Sequence, residues 1–416
     1  MARGIKIFLL ISFSLFCIIP ALSHTNNDIS DNTSVEVLDN FWLPYNIDVL
    51  IKKISNVQNN NISNNIIMDT AFQKVNAPLE IQTYDGSGQL THPSVLYFPE
   101  GWNNHKYWAA ATPYPNSDDR YENPSIYYFD TPGENWKVPA NLVNPVVPQP
   151  SMGFNADPCL AYNKTSNELY CFYREYNSTD LNFSYYIIKS SDDVSWSSPI
   201  LLYNITSNKP ILCDHMSTLK LICLEVYIGL YDFVNYDITN EKRLEGGTNN
   251  ENSNSIVQLP NGTWMMWAQK WDSAYSIVYR TSTDCLHWSE PKSCNFVDGF
   301  SDRTVWHIDV KYIPEYERFL MIQYSNVRNC LTLAESRDGI NWKYYSKSIL
   351  KPDDKNSTNF ANSQLYKSSF TYDPLTDTIH LWYAGVSTEN EWKVGYTNIS
   401  YSELRDFVYE QQPKNN

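Results

Sequence analysis

Ser336-Arg337-Asp338-Gly339-Ile340-Asn341-Trp342 is the stretch that decides the fold. Asp and Gly suit a tight hairpin turn, and the Trp that follows begins a strand and packs against its neighbours. The same spacing recurs at 282–288 and 190–196, and a degenerate copy ends at Trp136. Repeated hairpin turns of this kind predict an all-β chain that is built from similar units.

A second pattern, a short strand followed by a turn and an aromatic strand, precedes these turns by about forty residues. Five copies of such units, with three or four strands each, predict a five-bladed β-propeller over 81–405. The predicted blades cover about 86–150, 151–203, 251–295, 303–350 and 361–405, and a tail follows at 406–416. Residues 204–250 fit the repeat poorly, and we interpret them as an insertion rather than a degenerate sixth blade.

The N-terminus has the pattern of a secretory signal peptide. Arg3 and Lys6 precede an apolar run at 7–19 and the small-x-small sequence Ala21-Leu22-Ser23. A membrane anchor is the alternative, but the run is short for a span. We therefore expect a secreted or cell-surface protein that keeps no membrane span once the signal at 1–23 is removed. Residues 24–80 are polar and rich in Asn, which predicts a flexible leader.

Charge and composition narrow the range of partners. The 416 residues carry a formal net charge of −15 and no long basic run, which argues against nucleic acid and anionic membrane surfaces. Aromatic residues make up 15% of the chain, with 31 Tyr and 13 Trp. Such residues suit both strand packing and clefts that bind carbohydrate. A neutral or weakly charged substrate, such as a carbohydrate, is therefore expected.

The cysteines show no pattern typical of a zinc site. Eight are present, of which Cys17 lies in the signal, so the remaining number is odd. An exported protein can form disulfides, and three pairs are close in sequence. These candidate pairs are Cys159/Cys171, Cys213/Cys223 and Cys285/Cys294.

The first strand of every propeller blade lines the central channel, so equivalent positions in these strands converge. Residues two apart on a strand face the same way, which defines two sets of converging side chains. The first slot holds His92, Asp157, Ser253, His307 and Lys367. The second slot holds Ser94, Cys159, Ser255, Asp309 and Ser369. Buried ionisable groups are costly unless paired, so this ring is the default candidate for a functional site.

The loops between the second and third strands of each blade lie at the same end as these strand starts. They would form the walls of a cleft over the ring. The side chains that they offer are Arg120, Glu122, Asn123, Arg174, Glu175, Gln269 and Trp271.

Four segments and the hairpin turns carry a resemblance to known proteins. The turns resemble the Asp-box of many propeller proteins, a motif that marks fold rather than activity. The region 81–405 resembles the five-bladed propeller glycosidases of the arabinanase, xylosidase and invertase/levansucrase group, and more closely an uncharacterised set of propellers related to them. The segments are His92-Pro93-Ser94-Val95-Leu96-Tyr97-Phe98-Pro99, Tyr121-Glu122-Asn123-Pro124-Ser125-Ile126, Asn155-Ala156-Asp157-Pro158 and Trp306-His307-Ile308-Asp309.

The resemblance implies three carboxylates at the axis, one from each of the first three blades. Asp157 matches the position of the carboxylate that orients substrate in blade two. Blade one departs from the pattern, because His92 and Ser94 stand where an Asp is expected. Blade three offers serines at both slots, with Glu251 just upstream.

These observations predict a secreted glycoside hydrolase that acts on a poly- or oligosaccharide. Glycosidic cleavage needs one protonated and one ionised carboxyl. We predict Asp157 and Asp309 as catalytic groups on the axis and Glu122 as the acid, with no cofactor required. Arg174 would hold a carboxylate ionised or clamp substrate hydroxyls. The predicted substrate-binding residues are His92, Arg174, Ser253, Gln269, Trp271, Trp306, His307 and Lys367.

Several alternatives stay open on sequence alone. The chain could be a carbohydrate-binding propeller without an acid/base pair, or a sialidase, although the ring slots lack the three arginines that a sialidase needs. A metal ion could bind at the axis; its candidate ligands are His92, Asp157, His307 and Asp309. The same polar groups could instead cap turns, bond to backbone or neutralise one another.

Overall fold

The computed structural model describes residues 70–75, 77–177, 182–206, 250–271, 275–297 and 304–409. In these ranges the strands form five separate sheets. Neighbouring strands pair antiparallel, apart from one short parallel strand at the edge of the fourth sheet. The predicted all-β, five-bladed propeller is therefore confirmed.

The first two blades come from the N-terminal half of the chain. Blade 1 contains β1 (Leu90–Trp102), β2 (His105–Pro113) and β3 (Ser125–Phe129). Blade 2 contains β4 (Gly153–Asn163), β5 (Glu168–Asn177), β6 (Asn182–Ser190) and β7 (Ile200–Thr206). The last of these strands extends three residues beyond the predicted end of blade 2 at residue 203. Its backbone pairs with β6, and this pairing makes it the fourth strand of blade 2.

The other three blades follow after residue 249. Blade 3 contains β8 (Asn250–Gln258), β9 (Trp264–Trp271), β10 (Tyr275–Ser282) and β11 (Lys292–Ser293). Blade 4 contains β12 (Asn295–Phe296), β13 (Val305–Ile313), β14 (Arg318–Ser325), β15 (Cys330–Ser336) and β16 (Asn341–Leu350). Blade 5 contains β17 (Gln364–Asp373), β18 (Thr378–Val386) and β19 (Trp392–Ser400), and the helix α1 (Tyr401–Tyr409) follows it.

The Asp-box turns join the outer strands of a blade. Oδ1 of Asp338 accepts the backbone N–H groups of Ile340 and Asn341 at 2.8 and 2.7 Å. Gly339 adopts φ +74, and a Cβ there would lie 2.7 Å from the ring of Trp267 in the neighbouring blade. Trp342 is fully buried and begins β16 with its indole N–H bonded to the Gly339 carbonyl. The turn thus fixes both the hairpin and the packing between blades, as the sequence predicts.

The inner strands are joined by the second-slot side chains, which we call the inter-blade ring (Ser94, Cys159, Ser255, Asp309 and Ser369). Each contacts a backbone N–H of the first strand in the next blade, so the contacts close a circle. Buried N–H groups that pair in this way avoid a desolvation cost of about 1–3 kcal/mol each. Four backbone N–H groups donate to these side chains: Leu160 to Ser94 (2.9 Å), Val310 to Ser255 (2.8 Å), Phe370 to Asp309 (3.0 Å) and Val95 to Ser369 (2.9 Å). The Cys159 sulfur interacts with the Ile256 N–H.

The packed domain begins earlier than the sequence predicts. The flexible leader was expected to extend to residue 80, yet Phe72 is fully buried and its N–H donates to the Ile349 carbonyl. Leu79 donates to the Val394 carbonyl at the edge of blade 5. These two apolar side chains bury surface that a free leader would expose to water, so residues 70–75 and 77–80 belong to the packed domain.

Other predictions fall outside the described residues. They are the signal peptide at 1–23, the leader up to residue 69, the insertion at 207–249 and the end of the tail at 410–416. In the part of the chain that the structure describes, no helix has the length and hydrophobicity needed to cross a membrane.

The candidate disulfides among the described cysteines are wrong. Cys159, Cys171, Cys285, Cys294 and Cys330 are free thiols. Burial in the apolar layers between blades raises the pKa of Cys159 and Cys171, which keeps both thiols protonated and unreactive. Cys213 and Cys223 lie outside the described residues.

Candidate functional site

Three of the five first-slot residues lie at irregular points of the inner strands, where the backbone is left-handed. His92, Asp157 and Ser253 have φ values of 55°, 53° and 56°, in the left-handed region that non-glycine residues rarely adopt. The strand register shifts at the same places in β1, β4 and β8. Such conformations cost about 1–3 kcal/mol each and cluster at functional sites. Three equivalent left-handed residues in three blades therefore mark this end of the inner strands as a candidate site.

Asp157 is the centre of the site. Its Oδ1 lies 3.4 Å from Nζ of Lys367 in blade 5, and its Oδ2 lies 3.3 Å from Nε of Arg174 in β5. All three side chains are buried. Burial opposes ionisation of Asp157, but the two cations outweigh it and hold the pKa of the carboxyl well below its usual range. Asp157 is therefore a buried carboxylate at neutral pH.

Two imidazoles from different blades face the same carboxylate oxygen. Nε2 of His92 and Nδ1 of His307 each lie 3.7 Å from Oδ1 of Asp157. Burial lowers the pKa of His92 to about 3 and that of His307 well below 6.5, and both nearby cations act in the same direction. Both rings are thus neutral at pH 7. Among the described residues, neither ring nitrogen of His307 has a hydrogen-bond partner.

The His92 nitrogen that points away from Asp157, Nδ1, lies near two side chains of blade 1. Nδ1 lies 3.1 Å from Oγ1 of Thr112 and 3.7 Å from Oε2 of Glu122. Glu122 follows the short helix Asp119–Tyr121 in the loop between β2 and β3, and its side chain is buried. Its backbone carbonyl accepts the N–H of Asn155 at 2.9 Å, which ties the loop to the strand that carries Asp157.

An aromatic pair supports the His307 ring. The ring of Tyr366 lies 4.2 Å from the His307 ring at 71°, and its hydroxyl accepts the indole N–H of Trp306 at 3.0 Å. The sequence predicts Trp306 as a substrate contact, whereas the structure places its N–H on a neighbouring side chain. Tyr366 and Thr112 are absent from the sequence prediction, because neither lies in a converging slot.

Of the remaining predicted substrate-binding residues, Ser253 and Gln269 form hydrogen bonds outside the cluster of His92, Asp157 and His307. Both the N–H and the carbonyl of Ile308 bond to Oγ of Ser253, at 3.0 and 3.1 Å. Oε1 of Gln269 accepts from Asn252 at 3.2 Å. Trp271 ends β9, but its side chain is outside what the structure describes. Ser253 and Gln269 thus bond chiefly to nearby protein groups.

Two further carboxylates lie in networks of their own. Asp309, in the inter-blade ring, accepts from Ser255, Ser369, Lys311 and the Phe370 N–H. These contacts favour a structural role over the catalytic one predicted from sequence. Both oxygens of Glu251 accept from Arg280, at 2.8 and 3.3 Å, and the Arg280 guanidinium stacks on Tyr203. Neither carboxylate contacts Asp157 through the bonds described.

The chemistry of the cluster fits a metal ion. One ligand atom from each of His92, Asp157 and His307 lies within 4.8 Å of the others. Two neutral imidazoles and one carboxylate are a donor set that zinc and other divalent transition metals use in catalytic sites. Lys367 competes for the same carboxylate oxygen, so binding of a cation would require its ammonium group to turn away.

Comparison with known proteins gives carbohydrate-active relatives. No protein-family model matches the chain. It is 26% identical over 362 residues to the A type blood N-acetyl-alpha-D-galactosamine deacetylase of Flavonifractor plautii, a match that covers 76% of this chain and 45% of that protein. The chain thus spans less than half the length of that curated relative.

Two solved structures are also similar to this chain. The crystal structure of an N-acetylgalactosamine deacetylase from F. plautii in complex with blood group B trisaccharide matches with a TM-score of 0.62 and 23% identity, over 82% of this chain and 98% of that one. An alpha-L-arabinanase of Penicillium chrysogenum matches with a TM-score of 0.45 and 14% identity, over 77% and 79%. This chain shares the five-bladed propeller fold of the deacetylase.

Proposed function

We propose that this protein is a glycan N-deacetylase, which hydrolyses the acetamide of an N-acetylated amino sugar in a glycan. Two findings support the proposal. The curated relative is an N-acetylgalactosamine deacetylase by name, and His92, Asp157 and His307 form a buried cluster that suits a metal ion. The cluster is the observation that carries the proposal, because hydrolysis of an amide at neutral pH requires an activated water.

The metal would be held by Nε2 of His92, a nitrogen of His307 and a carboxylate oxygen of Asp157. A bound divalent ion lowers the pKa of a water ligand and polarises a carbonyl oxygen. The lowered pKa of both imidazoles keeps their lone pairs available for coordination at pH 7. Within the described part of the chain, neither nitrogen of the buried His307 ring has a hydrogen-bond partner, which supports coordination of a metal ion by this ring.

Glu122 is the candidate general base. It is buried beside His92 but is not part of the donor set. In the proposed reaction its carboxylate accepts a proton from the attacking water as the oxygen–carbon bond forms. The same proton then passes to the sugar nitrogen as the carbon–nitrogen bond breaks, which yields acetate and a free amine. Thr112 holds the other side of the His92 ring and so fixes its orientation.

Lys367 and Arg174 supply positive charge beside the two oxygens of Asp157, Lys367 at Oδ1 and Arg174 at Oδ2. The tetrahedral intermediate carries a negative charge on the former carbonyl oxygen, and fixed cations in a buried site stabilise such a charge strongly. Lys367 is the better placed of the two, since its ammonium group already lies 3.4 Å from the oxygen that faces both histidines. A turn of this side chain away from Asp157 would free the carboxylate for the metal.

The experiment is an acetate-release assay on oligosaccharides that carry N-acetylgalactosamine or N-acetylglucosamine. We expect activity that a chelator abolishes and added Zn²⁺, Mn²⁺ or Co²⁺ restores. His307→Ala should lose metal by elemental analysis, whereas the exposed His287→Ala should retain it. Glu122→Gln should keep the metal and lose turnover. Acetate release that persists in the metal-free protein would contradict the metal-dependent mechanism.

A glycoside hydrolase is the second candidate. The observation in its favour is that Glu122 and Asp157 lie at opposite nitrogens of one imidazole, so a pair of carboxyl groups flanks His92. Release of reducing sugar from a panel of furanosides and pyranosides, lost in Asp157→Asn and Glu122→Gln, would support it. Acetate release without reducing sugar would decide for the deacetylase.

We also propose that the protein is exported, since Arg3, Lys6 and the apolar run at 7–19 have the order of a signal peptide. Expression of the full chain in a secreting host tests this point. A mature N-terminus near residue 24 in the medium is the expected result. Retention of the intact N-terminus inside the cell would contradict it.

A further inference from the structure

Two tyrosines beside the site expose their rings to solvent. Tyr84 is 37% exposed and Tyr121 is 39% exposed, in a chain whose other large aromatic rings are mostly packed between strands. The hydroxyl of Tyr84 donates to the backbone carbonyl of Tyr121 at 2.7 Å. The two residues are therefore joined directly, although 37 positions separate them. We call the pair the tyrosine platform.

Buried amides connect the tyrosine platform to the strand that carries Asp157. The Asn155 side chain donates to Oδ1 of Asn123 at 2.9 Å, and the Asn123 side chain donates to the Tyr84 hydroxyl at 3.1 Å. Asn123 and Asn155 are fully buried. Asn155 lies two residues before Asp157 on β4. The Tyr84 side chain and the backbone of Tyr121 are thus tied to the strand that carries Asp157.

The position of Tyr121 places the platform at the edge of the site. Tyr121 is followed by Glu122, whose side chain turns inward to His92, while the Tyr121 ring remains exposed. Tyr121 is thus the exposed residue that immediately precedes the candidate general base in the chain. One stretch of chain supplies both a buried carboxylate and an exposed aromatic face.

The charges around the platform favour a neutral ligand. Asp85, Asp118 and Asp119 flank the two rings in sequence, and the nearby guanidinium of Arg120 is already bonded to Asp118. Anionic groups such as phosphates would be repelled here. Sugar rings are neutral and present C–H faces, which pack well on aromatic rings.

We propose that the tyrosine platform binds a sugar residue adjacent to the one that is deacetylated, so the substrate is an oligosaccharide and not a free amino sugar. This inference rests on the proposed function, since it concerns the same site. A side chain that is held before binding, as Tyr84 is by its two hydrogen bonds, loses little conformational entropy, so its contact area contributes to affinity. Loss of one such ring contact is expected to weaken binding roughly two- to tenfold.

The test compares two substrates in matched variants. The substrates are the methyl glycoside of an N-acetylhexosamine and a trisaccharide that contains the same residue. Tyr121→Ala should lower kcat/KM about five- to tenfold for the trisaccharide and less than twofold for the monosaccharide. Tyr84→Phe keeps the ring but breaks the bond to Tyr121, so a smaller selective loss is expected. Tyr316→Ala, also an exposed tyrosine at 38%, is the control and should change neither substrate.

An equal loss of kcat/KM on both substrates in Tyr121→Ala, or no loss on either, would contradict sugar binding by the tyrosine platform. Binding of the trisaccharide by calorimetry separates this inference from the proposed function. If the wild-type protein hydrolyses neither substrate, the proposed function fails, and the platform is judged on binding alone. Weaker binding by Tyr121→Ala than by Tyr316→Ala then supports it, and equal binding refutes it.

Discussion

Nζ of Lys367 lies 3.4 Å from Oδ1 of Asp157, although 210 positions separate the two residues in the chain. One belongs to blade 5 and the other to blade 2, and both side chains are buried. The pair therefore forms only when the ring of blades closes. This contact links the stability of the propeller to the ionisation of the central carboxylate.

Lys367→Met is predicted to destabilise the protein by about 3 kcal/mol at pH 7, because one partner of a buried ion pair is removed. The pKa of Asp157 is depressed by the nearby cations, so this stability is fully present above the pKa of the unfolded carboxyl, about 3.9, and is lost progressively as the pH falls from there through the lower pKa of the folded state. Urea unfolding at pH 7 and pH 3 measures both effects. Lys137→Met, which removes an exposed ion pair with Glu134, is the control and should cost less than about 1 kcal/mol. A difference from wild type that is as large at pH 3 as at pH 7 would contradict the assignment.

Acid should destabilise the protein through its buried histidines. The pKa of His92 is about 3 in the folded protein and about 6.5 when unfolded, so the unfolded state binds more protons between these values. Stability is therefore present above pH 6.5 and falls as the pH falls towards 3, by about 2 kcal/mol from His92 between pH 7 and pH 5. His92→Gln should show a drop smaller by that amount in urea unfolding. His287→Gln, at an exposed turn, is the matched control, and an identical pH dependence in both variants would count against a neutral His92.

Asp309 and Asp157 should respond differently to substitution. Asp309→Ala removes an acceptor from the Phe370 N–H and from two serine hydroxyls, which should cost about 2–4 kcal/mol of stability. The folded fraction should keep kcat within a few-fold of wild type. Asp157→Asn should lower kcat at least a hundredfold, because it removes the charged ligand of the proposed metal. Thermal unfolding and acetate release measured on the same samples distinguish the two roles, and loss of turnover in a stable Asp309→Asn variant would restore the catalytic prediction.

Glu251 is expected to act structurally through Arg280. Arg280→Met leaves a buried carboxylate without its main partner and should destabilise the protein by about 3–5 kcal/mol. The double variant Glu251→Gln/Arg280→Met should be more stable than Arg280→Met alone, since no unpaired charge remains. A double-mutant cycle by urea unfolding gives the coupling energy. Additive costs would mean that the two side chains do not interact in solution.

The fold could be predicted from the sequence because its signals are local and repeated. The Asp-box at 336–342 specifies a hairpin through short-range hydrogen bonds, and its copies give the number of units. Equivalent positions of a repeat must converge in a propeller, so His92, Asp157, His307 and Lys367 could be named as one cluster from their places in the strands. Phe72 was missed as a core residue, because a single apolar side chain in a polar leader gives no periodic signal.

The roles within the cluster needed the tertiary structure. Asp157 and Asp309 look alike in sequence, each a carboxylate in a converging slot. The bulge and left-handed backbone at Asp157 place it among two cations and two imidazoles, whereas Asp309 pairs with backbone N–H and hydroxyl groups of neighbouring blades. Thr112 and Tyr366, which hold the imidazoles, come from positions outside either slot.

The sequence by itself thus determined the repeat, the number of blades and the set of side chains that meet, since these depend on local turn geometry and on strand periodicity. Only the tertiary structure decided that Asp157 is surrounded by titratable groups and that Asp309 joins neighbouring blades. That choice depends on the hydrogen-bond partners that each buried oxygen finds across the ring. These partners lie tens to hundreds of residues away in the chain, so a local sequence pattern cannot predict them.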